Sequence, residues 1–477
     1  DVGATLVLTS GIDVLKGTSG NDVFIGDATT TQAADQIDGG AGIDTFNLFG
    51  AGAKPVLPTM TNIERLVLTN PTAAIDTLDV STIKDLTDVV LKGAKDDNVL
   101  TVGDGVTTTV DGSTTGVEVK FGATAVDATV ALINGTTVDT LKVEGTGVKA
   151  LNVASNGSAA NTIKTLETTA ATLNISGQQT LAIDSKLDAT ITTVDASTNT
   201  GGVSLNIGAT ANATVTGGAG NDTFVFDRNL TATDKVDGGK GSNTLSVTDG
   251  MSAFGAVKNI EVVKFTAKTT LDLMDTADHL TNAGVTKLLF NGAVANTITG
   301  ADADHSFALA FAGAGEASAV TLATKVTAAN ISLEGTTLSS LKVTADQAKD
   351  AITVNIASTG AVNKLTELEA AEGSTFKVTG TQDLTITNLA SKGTVDASAL
   401  AGALTITGST GADTIILGSG ADTVNVQAKG STYLAMDTIT NFTKADALVL
   451  TGMTADALVK YDAFNDSSFE QAVLAAE

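Results

Sequence analysis

The sequence contains no cysteine and no tryptophan, and only three prolines, two tyrosines and two histidines among its 477 residues. Without cysteine there can be no disulfide, no thiolate metal site and no thiol nucleophile; that absence is compatible with an exported bacterial protein. The scarcity of aromatic residues argues against a core packed around large rings. Neither His279 nor His305 lies in an HExxH motif and no GxSxG elbow occurs, which removes a zinc protease of that kind and the usual serine hydrolase. Basic residues are few, 27 against 53 acidic ones, for a net charge of -26. That imbalance argues against nucleic acid and anionic membranes as partners and in favour of cations. No apolar run approaches the ~20 residues needed to span a bilayer. The opening DVGATLVLTS has neither the basic region nor the apolar stretch of a secretory signal, and its first residue is Asp, which fits a processed chain or a fragment.

What the sequence does have is Gly, Ala, Thr, Val and Asp, a mixture that favours short strands and tight turns. It also repeats. Asp22, Asp222 and Asp422 sit 200 residues apart, in GNDVFIG, GNDTFVF and GADTVNV. Each belongs to a block of four positions: Asp13, Asp22, Asp35 and Asp44; Ala213, Asp222, Asp234 and Asn243; Asp413, Asp422, Asp437 and Asp446. An apolar residue follows two places after every one of the twelve, from Leu15 and Phe24 to Val424 and Leu448. The intervening sequence repeats more faintly, TNIERLVLT at 61–69 resembling KNIEVVKFT at 258–266. The chain thus reads as two units of about 200 residues closed by a third acidic block.

Six residues ending in Asp, followed by three with an apolar centre, make a nine-residue rung. The glycines at its turn, such as Gly217, Gly218 and Gly220 or Gly39, Gly40 and Gly42, allow positive φ and close backbone approach. Two rungs complete a coil, and coils stack at the strand spacing of about 4.8 Å. This places Asp13 against Asp35, Asp22 against Asp44, Asp413 against Asp437 and Asp422 against Asp446. In the middle block Asp222 faces Asn243, and Ala213 leaves Asp234 without a partner, so fewer or weaker ions are expected there. Stacked carboxylates repel. A hard dication reverses that sign, and calcium, which takes six to eight oxygen ligands, suits such turns better than the stricter octahedral magnesium.

GGAGNDTFV resembles the repeats-in-toxin (RTX) nonapeptide, the calcium-binding parallel β-roll repeat. In that family the sixth-position Asp and turn carbonyls ligate calcium. The resemblance carries the Asp role most directly to Asp22, Asp44, Asp222 and Asp422, while the turns before Asp35, Asp234 and Asp437 lack the glycines. Asp13, Asn243, Asp413 and Asp446 complete the side-chain set. The carbonyls implied are those of Gly17, Ser19, Gly39, Ala41, Gly217, Ala219, Gly238, Gly408 and Thr410. MDTITNFTKADALVL, 436–450, is similar to the segment that closes many such proteins, which leave Gram-negative cells by type I secretion. The ending FNDSSFEQAVLAAE suits an uncleaved secretion signal, or equally a frayed terminal helix.

The expected fold is all-β: an elongated parallel β-roll or β-helix solenoid with calcium-binding RTX blocks and a few short helices. The divisions are an acidic block at 1–50, a solenoid unit at 51–207, a second block at 208–248, a second unit at 249–407, a third block at 408–450 and a terminal segment at 451–477. A sandwich remains the alternative for the intervening units, whose short β-rich pieces include VEVKFG, TLKVEG and TLNISG. Helices are expected at 80–94, VSTIKDLTDVVLKGA, and at 271–284, LDLMDTADHLTNAG. For chemistry, His305 beside Asp302 and Asp304 is either a metal ligand or an exposed turn, and Asp96 with Asp97 is either a carboxylate pair, a solvated turn or an extra calcium site. Catalysis is not expected. The low aromatic content and the acidic blocks along the whole chain resemble a bacterial surface-layer protein of the RTX type. That resemblance implies a secreted, self-assembling, calcium-bridged lattice on a Gram-negative cell surface, with lipopolysaccharide as an attachment partner. The alternative is a secreted adhesin or biofilm-matrix protein, and a secreted hydrolase is the third class weighed.

Overall fold

The computed structural model describes residues 2–208, 212–227, 230–248, 254, 256–291, 294–301, 307–427 and 436–451, with backbone alone at 274–278. The chain divides into two compact units, 1–245 with 255–260, and 246–254 with 261–477. Each is a parallel β-solenoid, so the sandwich alternative for the intervening stretches is set aside.

In the first unit one sheet runs through 13 parallel strands, beginning Thr5–Val7, Val23–Asp27, Thr45–Phe49, Arg65–Thr69 and Asp88–Lys92 and ending at Val257–Lys258. A second face is laid down by the alternate strands, among them Val14–Lys16, Gln36–Asp38 and Thr59–Thr61 at the start. It continues with Asp97–Val102, Thr114–Phe121 and Thr137–Glu144. Consecutive strands of one sheet are therefore one coil apart, and a side chain meets its counterpart in the next coil. Phe24 pairs in register with Phe46, Phe46 with Leu66 and Leu66 with Val89, all fully buried. The alternation of apolar and small polar residues supplies this: in Val23–Asp27 the second and fourth positions point inward and the others do not.

The second unit repeats the scheme. One ladder takes Val262–Phe265, Lys287–Asn291, Ala308–Ala314 and Ala328–Leu338, stacking Phe265 on Phe290 at 5.0 Å and Phe290 on Phe311 at 5.5 Å between ring centroids. It ends with Thr414–Ile416 and Thr438–Thr440, beside Thr423–Gln427 and Ala447–Thr451 of the neighbouring ladder.

The helix expected at 271–284 is present as Leu273–Ala283. It buries Leu280 and Ala283 and stops at Gly284, whose φ of +86° allows the left-handed end that a Cβ would oppose. The helix expected at 80–94 is absent. There the chain makes a turn and then the strand Asp88–Lys92, which pairs with Arg65–Thr69 on one side and Thr107–Asp111 on the other. Val89, Val90 and Leu91 are all buried, and two flanking parallel strands outweigh a weak local helix preference.

The faint repeat between the units extends to buried corners. Asn161 accepts the Thr136 N–H (2.8 Å) and donates to Ser155 Oγ (2.9 Å), and Asn363, 202 residues later, accepts the Thr336 N–H (2.8 Å) and donates to Ser358 Oγ (2.8 Å). Asn161→Ala is expected to cost about 2–3 kcal/mol, because it strands several buried backbone groups at once. Urea unfolding of the full chain measures this, and a loss below about 0.5 kcal/mol would mean that the side chain does not fix the corner.

Candidate metal sites

Parallel stacking brings the acidic positions together in the pairs the spacing predicts. Oδ1 of Asp35 accepts the N–H of Asp13 (3.0 Å), and Oδ1 of Asp44 accepts that of Asp22 (2.7 Å). Asp437 and Asp446 do the same for Asp413 and Asp422, both at 2.9 Å. In the middle block Asn243 Oδ1 accepts from Asp222 (3.0 Å). Asp234 is not left alone opposite Ala213. Its Oδ1 takes the Ala213 N–H at 2.7 Å, because this ladder needs an acid only on one coil and a backbone amide on the other.

The second carboxylate oxygen closes its own turn. Oδ2 of Asp13, Asp22, Asp222, Asp413 and Asp422 accepts the N–H four residues earlier, from Thr9, Thr18, Gly218, Ser409 and Gly418, at 2.6–2.9 Å. In turns without the glycines the clasp is one residue shorter: Gln32 to Asp35, Thr231 to Asp234 and Thr443 to Asp446, at 2.6–2.7 Å. A carboxylate has about four lone-pair positions, so these contacts leave room for a cation.

Glycine keeps that room open. A Cβ on Gly17 would lie 2.2 Å from the Gly39 carbonyl oxygen and 2.5 Å from Asp22 Oδ2. One on Gly217 would lie 2.3 Å from Gly238 O and 2.4 Å from Asp222 Oδ2, and one on Gly39, 1.9 Å from Asn62 O and 2.5 Å from Asp44 Oδ2. At Gly408 the two nearest carboxylate oxygens are Oδ2 of Asp413 and Asp437, at 3.0 and 3.9 Å. Oxygens of successive coils thus converge on points that only hydrogen can share. Space, not dihedral angle, explains Gly17, Gly39, Gly217, Gly218 and Gly220, whereas Gly40 and Gly42 do take positive φ, 96° and 133°. Of the carbonyls expected as ligands, those of Gly39 and Gly238 stand at these points. Ala41 and Ala219 enter their turns as N–H donors, to Thr18 O (3.3 Å) and Asn199 O (2.9 Å), and Ser19 and Thr410 share turns with Asp22 and Asp413.

The donor set is all oxygen, which suits a hard dication, and its wealth of carbonyls suits calcium. Among the described residues no three acidic or histidine side chains cluster tightly enough to hold a metal by themselves, so an ion at these turns would need carbonyl ligands as well. The most direct fit is Asp44, whose Oδ2 is buried and has no hydrogen-bond partner. Sequence reasoning missed one acid of this ladder: Glu64 Oε2 accepts the Asp44 N–H at 2.7 Å, in the place the next rung's Asp would occupy. The repeated Asn-Ile-Glu stretch was the available signal. Asp97, in contrast, is exposed and accepts the Thr115 hydroxyl (2.8 Å), and His279 is exposed on its helix, while His305 and the segment 452–477 lie outside the described residues.

Burial raises the carboxyls of Asp44, Asp222 and Asp422 above the ordinary range, and at Asp44 the charges of Asp22, Glu64 and Asp38 add to it. Burial pushes Asp437 up to about 6 against the stabilising Asp413 N–H, with the Asp413 charge adding to the rise. Asp22 goes the other way, held low by the Ala4 N–H. For the raised group the folded state retains protons that the unfolded chain, ionising near 3.9, releases. Their contribution to stability is complete below about pH 4 and is lost as pH rises through about 6. Asp22 acts only below that window. Calcium-free protein is therefore expected to show a falling Tm between pH 4 and pH 7 by differential scanning calorimetry, and millimolar calcium to abolish the fall. A Tm that climbs across that window without calcium would contradict the burial of these acids.

One family model matches the chain, the RTX calcium-binding nonapeptide repeat, in four copies over residues 7–46, 207–228 and 405–427. No curated protein matches it. The matched segments hold Asp13, Asp22, Asp35, Asp44, Asp222, Asp413 and Asp422, and leave Asp234, Asn243, Asp437 and Asp446 outside. The chain thus carries RTX calcium-binding nonapeptide repeats at three places, and in each the coil stacked next on the acids lies beyond the repeat.

Proposed function

We propose that the chain is a secreted structural protein whose acidic coils fold on calcium and whose copies assemble into a two-dimensional layer on the outer surface of a Gram-negative cell. The observation that carries this is the distribution of the acidic blocks. Buried carboxylates recur near residues 22, 222 and 422, spread along the chain. Among the described residues no helix is long and apolar enough to cross a membrane. RTX repeats imply export, and a calcium gradient gives export a physical basis. At submicromolar cytosolic calcium the acids repel and oppose folding; at millimolar external calcium the ion binds the folded state only and stabilises it by mass action. Calcium between copies, and between a copy and anionic lipopolysaccharide, would then extend the same chemistry to the layer. We take the protein to be no enzyme, on the ground that two histidines, no cysteine and no nucleophile elbow offer little for acid-base or covalent catalysis.

A second reading, a surface or glycan adhesin, is favoured by one feature. Outward amides and hydroxyls line up coil upon coil, as Asn174 Nδ2 on Asn152 Oδ1 and Asn355 Nδ2 on Asn330 Oδ1, both 2.8 Å, a regular polar face of the kind that sugars meet. Millimolar calcium added to EDTA-treated protein is expected to raise β-sheet circular dichroism and to yield ordered sheets by electron microscopy. Folding without sheets, together with cell binding by monomers, would favour the adhesin. No change in either signal would end both readings.

A further inference from the structure

The first unit contains two closing rungs that differ in chemistry at one decisive position. In the first block Gly40 and Gly42 take positive φ, the Gly40 N–H is drawn to Asp38 Oδ1 (3.1 Å), and Asn62 Nδ2 donates to that same oxygen (2.7 Å). In the middle block Gly239 and Gly241 take positive φ, the Gly239 N–H goes to Asp237 Oδ1 (3.1 Å), and Asn259 Nδ2 donates to it (2.6 Å). The turn glycines Gly39 and Gly238 each donate to the next coil at 3.0 Å, and each faces a carbonyl, Asn62 O or Asn259 O, 1.9 Å from where its Cβ would stand. Because the amide four residues earlier is drawn away to Asp38 or Asp237, the residue ending each turn has one terminal atom not closed on its own turn.

That residue is Asp44 in one rung and Asn243 in the other. Both are fully buried, and both use Oδ1 for the amide of the coil before. Asn243 spends its other atom on a hydrogen bond, Nδ2–H to Asn259 O at 3.0 Å. Asp44 presents Oδ2 toward the corresponding Asn62 carbonyl, oxygen to oxygen, with no donor at all. The Glu64 carboxylate holds the Asp44 N–H just beyond. A buried anionic oxygen facing a carbonyl, on a residue whose Oδ1 and backbone N–H already bond the acids Asp22 and Glu64, calls for a positive partner.

We infer that Asp44 Oδ2, the Asn62 carbonyl and the Glu64 carboxylate form a calcium site that extends the first acidic block past its repeats, and that Asn243 replaces the ion of the equivalent middle site with its own N–H. The inference rests on the calcium reading of the blocks. Asn62 and Glu64 lie outside the matched repeats, so the repeat pattern does not supply them. Asn62 is exposed, which leaves the ion a path from solvent. The middle rung is therefore complete without calcium, and the first rung is not.

The test uses the full chain with calcium as the probe, counting bound ions per chain by equilibrium dialysis and reading Tm in EDTA. Asn243→Asp is expected to gain one calcium and to lower Tm in EDTA; Asp44→Asn is expected to lose one and to raise it. Glu64→Gln is expected to weaken one ion several-fold while leaving the others unchanged. If the wild type binds calcium but Asn243→Asp gains none, the inference falls and the RTX sites stand, with a proton on Asp44 left to make the bond to Asn62. If the wild type binds no calcium, the reading beneath it falls as well. Should Asp44→Asn fail to fold, the gain or absence of gain in Asn243→Asp decides.

Discussion

In a parallel coil with exact register, every side chain is stacked on its own counterpart. This one constraint sets what each position can hold. Phe265, Phe290 and Phe311 gain from meeting their like, since apolar surface leaves water and rings stack. Asn152 and Asn174 also gain, because an amide carries both donor and acceptor and can bond to itself. A carboxylate cannot. At roughly 4.8 Å and an effective dielectric near 20, two of them repel by about 3 kcal/mol, more than one net hydrogen bond returns.

The acidic blocks are built around that deficit. Every block carboxylate except that of Asp13, which lies in the first coil, receives a backbone N–H from the coil before and, in most turns, another from its own turn, so the Asp is a structural clasp even without a metal. These contacts explain why the turns keep a defined shape, but they do not neutralise the charge. Burial of the charge raises the carboxyls of Asp44, Asp222, Asp422 and Asp437, with like-charge repulsion adding to it at Asp44, Asp422 and Asp437. On the proposed reading, calcium supplies the missing positive charge, and folding then follows the calcium concentration. The clasp gives the geometry, and the buried charge is what a cation would offset.

Much of this was legible in the sequence because a solenoid converts spacing directly into contact. The gaps of 9, 13 and 9 residues and the apolar residue at the second place after each acid sufficed to place Asp13 on Asp35 and Asp22 on Asp44. Where the coil is marked by no glycine or acid, spacing fails. The stretch 80–94 has a helix-like pattern, and only its two neighbouring strands, from coils 20-odd residues away, make it the strand Asp88–Lys92. Glu64 was passed over for the same reason: it ends a coil whose turn lacks the repeat's glycines, though its carboxylate does an aspartate's work. The orphaned oxygen of Asp44 was hidden more deeply. It depends on Gly40 turning to positive φ and giving its N–H to Asp38, a backbone event that no residue pattern at Asp44 records.

The middle block shows why counting acids misleads. Read as a sequence, Ala213 and Asn243 are losses from a calcium motif. Set in the coil, Ala213 costs the ladder nothing, because its amide serves Asp234 as well as an aspartate's would. Asn243 keeps the acceptor that Asp222 needs and adds the donor that Asn259 needs. Replacing one oxygen by one N–H removes a charge, a repulsion and an unpaired acceptor together. In the block poorest in acids, the turn ending in Asn243 closes by its own hydrogen bonds where the Asp44 turn leaves an oxygen without a donor, while the glycine-rich turn one rung earlier keeps the buried carboxylate of Asp222.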